Sequence, residues 1–390
     1  MVKTDICPSF GLCGGCCYQD LAYEEQLRIK KEEVRGYLEK NGIDPDLLIG
    51  IKPCPSIYEY RNKMEYTFGD QVKGGELHLG LHQAGHFMNI IDVSECRLVT
   101  EDYNTIVKAA LDHVLEKGYT HYNKKSHSGL CRSLVIRRGV RTHELLLNIV
   151  TTSENGFNEE DFVNMILGLD LKDKVVGIIH TVNDSISDAV KCDELKLLYG
   201  RDHYEEEILG LKFRIRPFSF FQTNVEAAER LYSDAISLIK DIDNKTVFDL
   251  YCGTGTITQA MAKKAAKAIG VEIVEEAVET ARESAEMNGL KNCTFIAEDV
   301  NTALSKIACM PDVIVVDPPR SGIVPKAMDQ ILAYGVDQII YVSCNPKTMA
   351  INLKTAIDKG YVIDSITAYD NFPMTKHIET VASISKNRYF

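Results

Sequence analysis

From residue 245 onward, short apolar runs alternate with longer stretches whose apolar residues recur at helical spacing. This alternation predicts a parallel β-sheet with helices on both faces, and therefore an α/β fold. Two further apolar runs follow, and we expect them to close the sheet as an antiparallel pair. The predicted strands cover residues 247–251, 268–272, 294–299, 312–316, 338–342, 362–369 and 378–385.

The region from residue 49 to about residue 203 has a different pattern. Apolar and polar residues alternate with period two in several short runs, and Gly74-Gly75 marks a turn, which predicts a β-rich region. Helices are expected at residues 100–117 and 159–167, the second capped by Asn158. Before this region, residues 18–39 predict an amphipathic helix whose charges we interpret as a solvated face.

These patterns divide the chain into three parts. Residues 1–48 form an N-terminal cysteine segment with the amphipathic helix, and residues 49–205 form a β-rich α+β domain. Residues 206–390 form the α/β domain. A chain of 390 residues is long enough for two or three domains that each bury a core.

Composition narrows the functional classes. The net charge of −12 excludes a global basic field, so any contact with RNA must come from a local patch. No apolar run is long enough to span a bilayer, and the first residues lack the apolar core of a signal peptide. We therefore expect a cytoplasmic protein without a membrane partner, and no feature points to an obligate protein partner.

A local group of basic residues surrounds the predicted strand near Cys131. We interpret it as a phosphate-contacting patch, and the alternative is a solvated strand edge protected by its charges. The patch comprises Lys124, Lys125, Arg132, Arg137, Arg138 and Arg141. In the later aromatic run, most side chains are expected in the core, while Phe220 is a candidate stacking platform for a flipped base.

The N-terminal cysteines are densely spaced. Cys7, Cys13 and Cys16 follow a C-x5-C-x2-C pattern, and Cys96 is the expected fourth ligand of a closed four-cysteine site. A [4Fe–4S] cluster and a structural zinc ion both take four thiolates. The spacing alone leaves these two almost equal, and a set of reduced, unliganded cysteines is the third alternative.

A cysteine also stands where a ligand would bind in an open α/β sheet. The strand at residues 338–342 ends just before Cys344, and Asn345-Pro346 then favours the start of a helix. A helix N-terminus should lower the pKa of the Cys344 thiol. The alternative is a small buried hydrophobe at a strand end.

A glycine turn predicts a cofactor site at the same edge. Cys252-Gly253-Thr254-Gly255-Thr256 follows the first strand, and Glu272 ends the second strand 19 residues after Gly253. This arrangement suits close approach of a ligand to the backbone and a carboxylate on ribose hydroxyls. Thr258 replaces the third glycine of the dinucleotide fingerprint, which favours S-adenosylmethionine over NAD.

Two acidic residues complete the predicted edge. Asp317 follows the fourth strand and precedes two prolines, which stiffen the chain. Glu379 lies near the start of the last strand, where it is a candidate general base. The alternative for Glu379 is an exposed carboxylate at a strand end.

Taken in order, the motifs FFQTN, DLYCGTGT, GVE, DPPRSG, YVSCNP and HIETV resemble those of the RNA uracil-5-methyltransferases. CPSFGLCGGC, YRNKMEYTFG and LGLHQAG extend the resemblance over nearly the whole chain. The resemblance implies a Rossmann-like class I methyltransferase domain, Cys344 as nucleophile and Glu379 as base. It implies S-adenosylmethionine contacts at Gln222, Tyr251, Thr256, Glu272 and Asp317.

The same resemblance bears on the metal site and the target. The rRNA-directed members carry a [4Fe–4S] cluster on cysteines matching Cys7, Cys13, Cys16 and Cys96, which the tRNA-directed members typically lack. This favours 23S rRNA as the substrate, with tRNA as the alternative. Many members begin with a small β-barrel RNA-binding domain, whereas this sequence starts a few residues before the cysteines.

The expected chemistry is covalent. Addition of the Cys344 thiolate to C6 of uracil places electron density on C5, which can then accept a methyl group. A base must remove the C5 proton before the thiolate can leave, and the target base must first leave its stack. A cytosine-5 RNA methyltransferase, and a non-catalytic RNA-binding protein with a metal staple, are the two rival hypotheses.

Overall fold

The computed structural model describes residues 6–154, 156–186 and 193–387. Its helices are α1 (Tyr23–Lys40), α2 (Glu101–Glu116), α3 (Glu159–Leu167), α4 (Val225–Ser237), α5 (Thr256–Ala262), α6 (Glu275–Met287), α7 (Val300–Lys306), α8 (Pro325–Ala333) and α9 (Pro346–Asp358). Short 3-10 turns lie at Pro45–Leu47 and Ile242–Asn244. None of the helices in the described ranges combines the length and apolar character needed to cross a membrane.

The strands fall at nearly all the predicted positions. They are β1 (Leu48–Lys52), β2 (Lys63–Asp70), β3 (Leu77–Gln83), β4 (His86–Asp92), β5 (Cys131–Gly139), β6 (Glu144–Thr151), β7 (Lys174–Val182), β8 (Glu194–Gly200), β9 (Tyr204–Ile208), β10 (Leu211–Ile215), β11 (Thr246–Leu250), β12 (Lys267–Glu272), β13 (Cys293–Ala297), β14 (Val313–Val316), β15 (Gln338–Ser343), β16 (Tyr361–Tyr369) and β17 (Glu379–Lys386).

The chain divides into two compact units. The first comprises the described residues within Met1–Asp20, Ser56–Glu207 and Arg214–Ser219, and the second those within Leu21–Pro55, Ile208–Phe213 and Phe220–Phe390. The predicted boundary at residue 48 differs from this division, because α1 and β1 belong to the second unit. β1 pairs in parallel with β16, a contact that sequence periodicity cannot reveal.

The first unit is built on a seven-stranded sheet in the order β4-β3-β2-β5-β6-β7-β8. Neighbouring strands are antiparallel except β6 and β7, which are parallel. The apolar residues of α2 and α3 pack on one face of the sheet, where Tyr66, Tyr103 and Phe162 are fully buried. Asn158 caps α3 by accepting a hydrogen bond from the Asp161 amide, as the sequence predicts.

The second unit contains an eight-stranded sheet in the order β1-β16-β17-β15-β14-β11-β12-β13. β17 is antiparallel to both β15 and β16, and the other pairs described are parallel. This is the Rossmann-like class I methyltransferase fold expected from the motifs. The carboxyl ends of β11, β12, β14 and β15 therefore meet at one edge of the sheet.

Candidate active site

Cys344 lies at the carboxyl end of β15, immediately before α9. Asn345 is the N-cap of α9, where its side-chain oxygen accepts a hydrogen bond from the Lys347 amide at 3.2 Å. Pro346 occupies the first turn of the helix, where its missing N–H costs nothing. The strand–cysteine–helix arrangement predicted from YVSCNPK is thus present, with Cys344 partly buried.

Strand register brings Glu379 to the same place. β17 pairs with β15 so that Thr380 lies opposite Ser343, and with β16 so that Glu379 lies opposite Tyr369. The Thr380 hydroxyl donates a hydrogen bond to the Ser343 carbonyl at 3.2 Å. Because Cys344 and Glu379 are the next residues in opposite directions along these paired strands, their backbones are neighbours at the edge of the sheet.

Asp317 follows β14, the strand beside β15, and begins the DPPRSG loop. The Asn345 side-chain amide holds this loop by donating to the Arg320 carbonyl at 2.8 Å. Gly322 in the loop has φ +76°, and a Cβ there would lie 2.9 Å from the Thr348 side chain. This close packing against α9 fixes the loop that carries Asp317 and Arg320.

The three titrating groups of the site influence one another. Burial, followed by the charges of Glu379 and Asp317, raises the pKa of Cys344 to about 11. Burial and Asp317 raise the pKa of Glu379 to about 8, and burial raises that of Asp317 to about 7. The expectation of a lowered Cys344 pKa is therefore wrong, because desolvation and two carboxylates outweigh the helix N-terminus.

Arg320 is a site residue that the sequence analysis missed. The positive charge of its exposed guanidinium opposes the effect of the carboxylates. The pKa values of Cys344 and Glu379 are therefore raised less than they would be without Arg320. The fixed DPPRSG loop could have suggested it, since a cation three residues after Asp317 must lie near the same strand ends.

The glycine turn has the close packing expected of a cofactor site. Tyr251 has φ +68°, which is unusual for a bulky residue, and Gly253 and Gly255 also have positive φ. A Cβ at Gly255 would lie 2.6 Å from the Phe295 ring, so only glycine fits there. Thr256 then begins α5 and is buried.

Glu272 is held at the end of β12 by backbone amides. Its carboxylate accepts hydrogen bonds from Gly253 at 3.0 Å, from Ile273 at 2.9 Å and from Val274 at 3.0 Å. These bonds tie the acid to the glycine turn and fix its orientation. A fixed carboxylate beside a glycine turn fits the ribose of a nucleoside cofactor.

Gln222 belongs to the same neighbourhood. Its side-chain nitrogen donates to the Tyr232 hydroxyl at 2.6 Å. Burial first, and then the charges of Asp317 and Glu379, raise the pKa of Tyr232. The five residues expected to contact the cofactor therefore lie in one structural unit with Cys344 and Glu379. Tyr232 is a further residue that the sequence patterns did not single out.

Comparison with known proteins identifies the family. Residues 190–387 match the model of the tRNA (uracil-5-)-methyltransferase family. An uncharacterized RNA methyltransferase of Clostridium tetani is 49% identical over 380 residues, which are 97% of this chain and 83% of the relative. Another, from Caldanaerobacter subterraneus, is 49% identical over 98% of this chain and 84% of its own length.

A solved structure agrees with the sequence comparison. The tRNA (uracil-54, C5)-methyltransferase of Pyrococcus abyssi, in complex with S-adenosyl-L-homocysteine, aligns with a TM-score of 0.78 and 27% identity, over 96% of this chain and 86% of its own. The chain belongs to the tRNA (uracil-5-)-methyltransferase family. The predicted enzyme class, an RNA uracil-5-methyltransferase, is confirmed at this level.

The four cysteines predicted to form a closed four-cysteine site lie together in the first unit. Cys7, Cys13, Cys16 and Cys96 all line one cavity of about 200 Å³. Burial first, and the neighbouring thiols in addition, raise the pKa of Cys16 to about 12 and that of Cys96 to about 11. In the part of the chain described, no three His, Cys, Asp or Glu side chains converge tightly enough to bind one metal ion.

The basic residues predicted to contact RNA phosphates are not all exposed on the surface. Arg137 is buried and donates to the Ser219 carbonyl at 2.8 Å. Arg138 forms an ion pair with the buried carboxylate of Asp173. Both guanidinium groups serve the interior of the first unit, which argues against the predicted phosphate contacts.

Arg132 is partly exposed beside aromatic side chains, and one nitrogen of its guanidinium donates to the Asn183 and Ser185 carbonyls at 2.7 and 2.9 Å. Its guanidinium lies over the Tyr122 ring at 4.2 Å, and the Lys124 ammonium lies over the Phe87 ring at 4.2 Å. All four line a cavity of about 200 Å³ in the first unit, and Phe87 is 55% exposed. In the later aromatic run, Phe221 is buried, but Phe218 is 40% exposed and Phe220 is 70% exposed, so the expectation that most of these side chains lie in the core is wrong.

The charges around Cys344 predict opposite effects of two substitutions on its thiol. Glu379→Gln removes a negative neighbour and should lower the Cys344 pKa, so alkylation at pH 8 should be faster by about threefold or more. Arg320→Gln removes the opposing cation and should raise the pKa and slow alkylation. Mass spectrometry of iodoacetamide-treated protein across pH measures both rates.

Cys17 is exposed and serves as the internal reference, because neither substitution should change its alkylation. Unchanged Cys344 profiles in both variants would show that these charges do not reach the thiol.

Proposed function

We propose that this protein transfers the methyl group of S-adenosylmethionine to C5 of a uridine in RNA, through a covalent bond between Cys344 and C6. The observation that carries the proposal is the pairing of β15 with β17, which places Cys344, at the carboxyl end of β15, next to Glu379 at the start of β17. Family membership supports the methyl donor and the uracil target.

The proposed reaction balances without an external oxidant or reductant. The Cys344 thiol first loses its proton to solvent, which returns it at the end of the cycle; the thiolate sulfur then bonds to C6, and the C5–C6 π electrons move toward C5 and the O4 enolate. C5 then takes the methyl group, the S–CH3 bond breaks, and S-adenosylhomocysteine is released. Glu379 removes the C5 proton, the C5–C6 double bond re-forms, and the C6–S bond breaks to return the Cys344 thiolate.

The titration behaviour of the site fits this sequence of steps. A pKa of about 11 keeps Cys344 as a thiol in the free protein, which protects it from unwanted alkylation and oxidation. A pKa of about 8 places Glu379 near the operating pH, where a general base and its conjugate acid are both useful. Arg320 favours the anionic form of both groups.

S-adenosylmethionine is the cofactor of the proposal. Gln222, Tyr251, Thr256, Glu272 and Asp317 would hold it at the glycine turn and the adjoining strand ends. The amide-bound Glu272 carboxylate suits the ribose hydroxyls. When bound, the cofactor supplies an electrophilic methyl group.

The favoured target is 23S rRNA, because the four-cysteine cavity matches the rRNA-directed members of the family. The alternative target is tRNA, which the Pyrococcus abyssi enzyme modifies according to its name. Mass mapping of rRNA and tRNA from a strain lacking the gene, with and without complementation, decides between them. The same mapping detects a cytosine product, which would contradict the uracil assignment.

We expect Cys344→Ala and Glu379→Gln to fail at different steps. Cys344→Ala cannot form the covalent bond, so it should bind RNA and S-adenosylmethionine but transfer no methyl group. Glu379→Gln should still add and methylate, but it should retain the C5 proton and accumulate a methylated enzyme–RNA adduct. Release should slow by roughly 10²–10⁴-fold. Denaturing gels with labelled methyl donor show the adduct, and wild-type turnover without an adduct in Glu379→Gln would exclude its role as base.

We further propose a [4Fe–4S] cluster on Cys7, Cys13, Cys16 and Cys96. Four thiols around one cavity provide the donor set that such a cluster takes. The methyl transfer needs no electron. The cluster would therefore fasten the N-terminal cysteine segment to the loop after β4 that carries Cys96.

Anaerobically purified protein should contain about four iron and four sulfide per chain. Cys13→Ser should lose most of the iron and lower the unfolding temperature, whereas Cys17→Ser, outside the cavity, should retain it. Iron, sulfide and zinc analysis of the three proteins is the measurement. A wild-type protein with one zinc and no sulfide would replace the cluster by a zinc site.

The surface of the first unit that contacts RNA is proposed to include Lys124, Arg132, Phe87 and Tyr122. Cations over aromatic rings suit phosphate contact together with base stacking. In the second unit, the exposed Phe220 ring is proposed to stack on the flipped uracil.

Lys124→Gln and Arg132→Gln should each weaken RNA binding and reduce its salt dependence by about one counterion. Lys117→Gln is the matched control in the same unit, because Lys117 is committed to an ion pair with Asp161. Binding titrations at several salt concentrations give the slopes. Equal slopes for the wild type and the three variants would show that these residues form a solvated strand edge and do not contact RNA.

A further inference from the structure

The buried face of α1 contains two polar residues. Gln26, Lys30, Val34 and Leu38 recur every four residues and are all fully buried. Lys30 forms an ion pair with Asp370 at 2.6 Å, and both side chains have no exposed surface. Residues 340 positions apart in the sequence are thus joined by a charged contact inside the second unit.

The same face of α1 makes further hydrogen bonds to the segment that follows Asp370. The Lys30 ammonium donates to the Phe372 carbonyl at 3.1 Å. The Gln26 side-chain oxygen accepts from the Met374 amide at 3.0 Å, and its nitrogen lies 3.3 Å from the Met374 sulfur. α1 therefore holds every second residue from Asp370 to Met374.

Other contacts fix the beginning of this segment. The Asp370 amide donates to the Lys52 carbonyl at 3.0 Å, which extends the pairing of β1 with β16. The Asn224 side chain donates to the Asn371 carbonyl at 2.7 Å. Met374 adopts φ +67°, a conformation that a non-glycine residue keeps only when its surroundings hold it.

Residues 370–378 connect β16 to β17, and the next residue is Glu379. The conformation of this segment therefore sets where the Glu379 carboxyl lies relative to Cys344. A buried ion pair is a costly way to join two elements, because apolar residues of similar volume stabilise a core as well or better. Its directional hydrogen bonds, however, fix the segment in one geometry.

We propose that Lys30 and Gln26 are positioning residues for the general base, acting through the 370–378 segment on Glu379. The inference rests on the proposed uracil-5 methylation and goes beyond it by assigning α1 a role in the last step. The residues touch neither substrate nor cofactor in this scheme. Their loss should impair removal of the C5 proton more than formation of the adduct.

The test separates the two halves of the reaction. In Lys30→Met, methyl transfer to RNA in a single turnover should change by less than about threefold, while release of methylated RNA should slow by about 10- to 100-fold, as expected for a misplaced catalytic group. A methylated enzyme–RNA adduct should therefore accumulate on denaturing gels. Gln26→Leu, which keeps the ion pair, should show a smaller defect of the same kind.

Two controls make the readout specific. Arg28→Met removes an exposed cation from the same helix, where Arg28 pairs with Glu25 on the surface, and should behave as wild type. Lys30→Met/Glu379→Gln should release RNA no more slowly than Glu379→Gln alone, because both changes act on one step. Partial unfolding of Lys30→Met lowers adduct formation and turnover together, so it cannot mimic an accumulating adduct.

The outcomes distinguish this inference from the proposed function. If the wild-type protein methylates no uridine, or Glu379→Gln traps no adduct, the proposed function itself fails. If Glu379→Gln traps the adduct while Lys30→Met and Gln26→Leu lose methyl transfer and release in equal proportion, α1 has only a structural role. If Lys30→Met is insoluble, the ratio of methyl transfer to RNA release in Gln26→Leu decides between these outcomes.

Discussion

The candidate site depends on one antiparallel strand, β17, in an otherwise parallel sheet. β17 enters between β15 and β16, so its first residues lie where the other two strands end. A parallel strand in that position would have brought Glu379 to the opposite edge, far from Cys344. The reversal of β17 is what places a carboxyl next to the thiol, and the 370–378 segment must turn the chain for this to happen.

Enclosure of these groups has consequences for their chemistry. Desolvation is the first cause of the raised pKa at Cys344, Glu379 and Asp317, and negative neighbours add to it at Cys344 and Glu379. The same low-dielectric setting strengthens any later interaction with a charged transition state. Arg320 opposes this rise in pKa, because its positive charge favours the anionic groups that the proposed reaction needs.

Much of the fold was predictable because strand ends and turns have local signatures. The Cys344 strand, the glycine turn and the N-caps at Asn158 and Asn345 follow from short-range pattern and backbone sterics. The roles of Arg137 and Arg138 could not be predicted from the sequence. A basic residue on a strand gives the same sequence pattern whether it contacts Asp173, a carbonyl or a phosphate. Placement of β1 beside β16 likewise depends on a distant partner.

The buried face of α1 shows how such distant partners can still be inferred. The charged residues of this helix were interpreted as solvated, yet Gln26 and Lys30 continue the four-residue spacing of Val34 and Leu38. A lysine in register with a buried stripe needs a buried anion, because an isolated ammonium in a core is too costly. Asp370 is this buried anion. Because Asp370 lies just before the segment that leads to Glu379, a charged contact with directional hydrogen bonds, rather than an apolar contact, joins the first helix to the last strands.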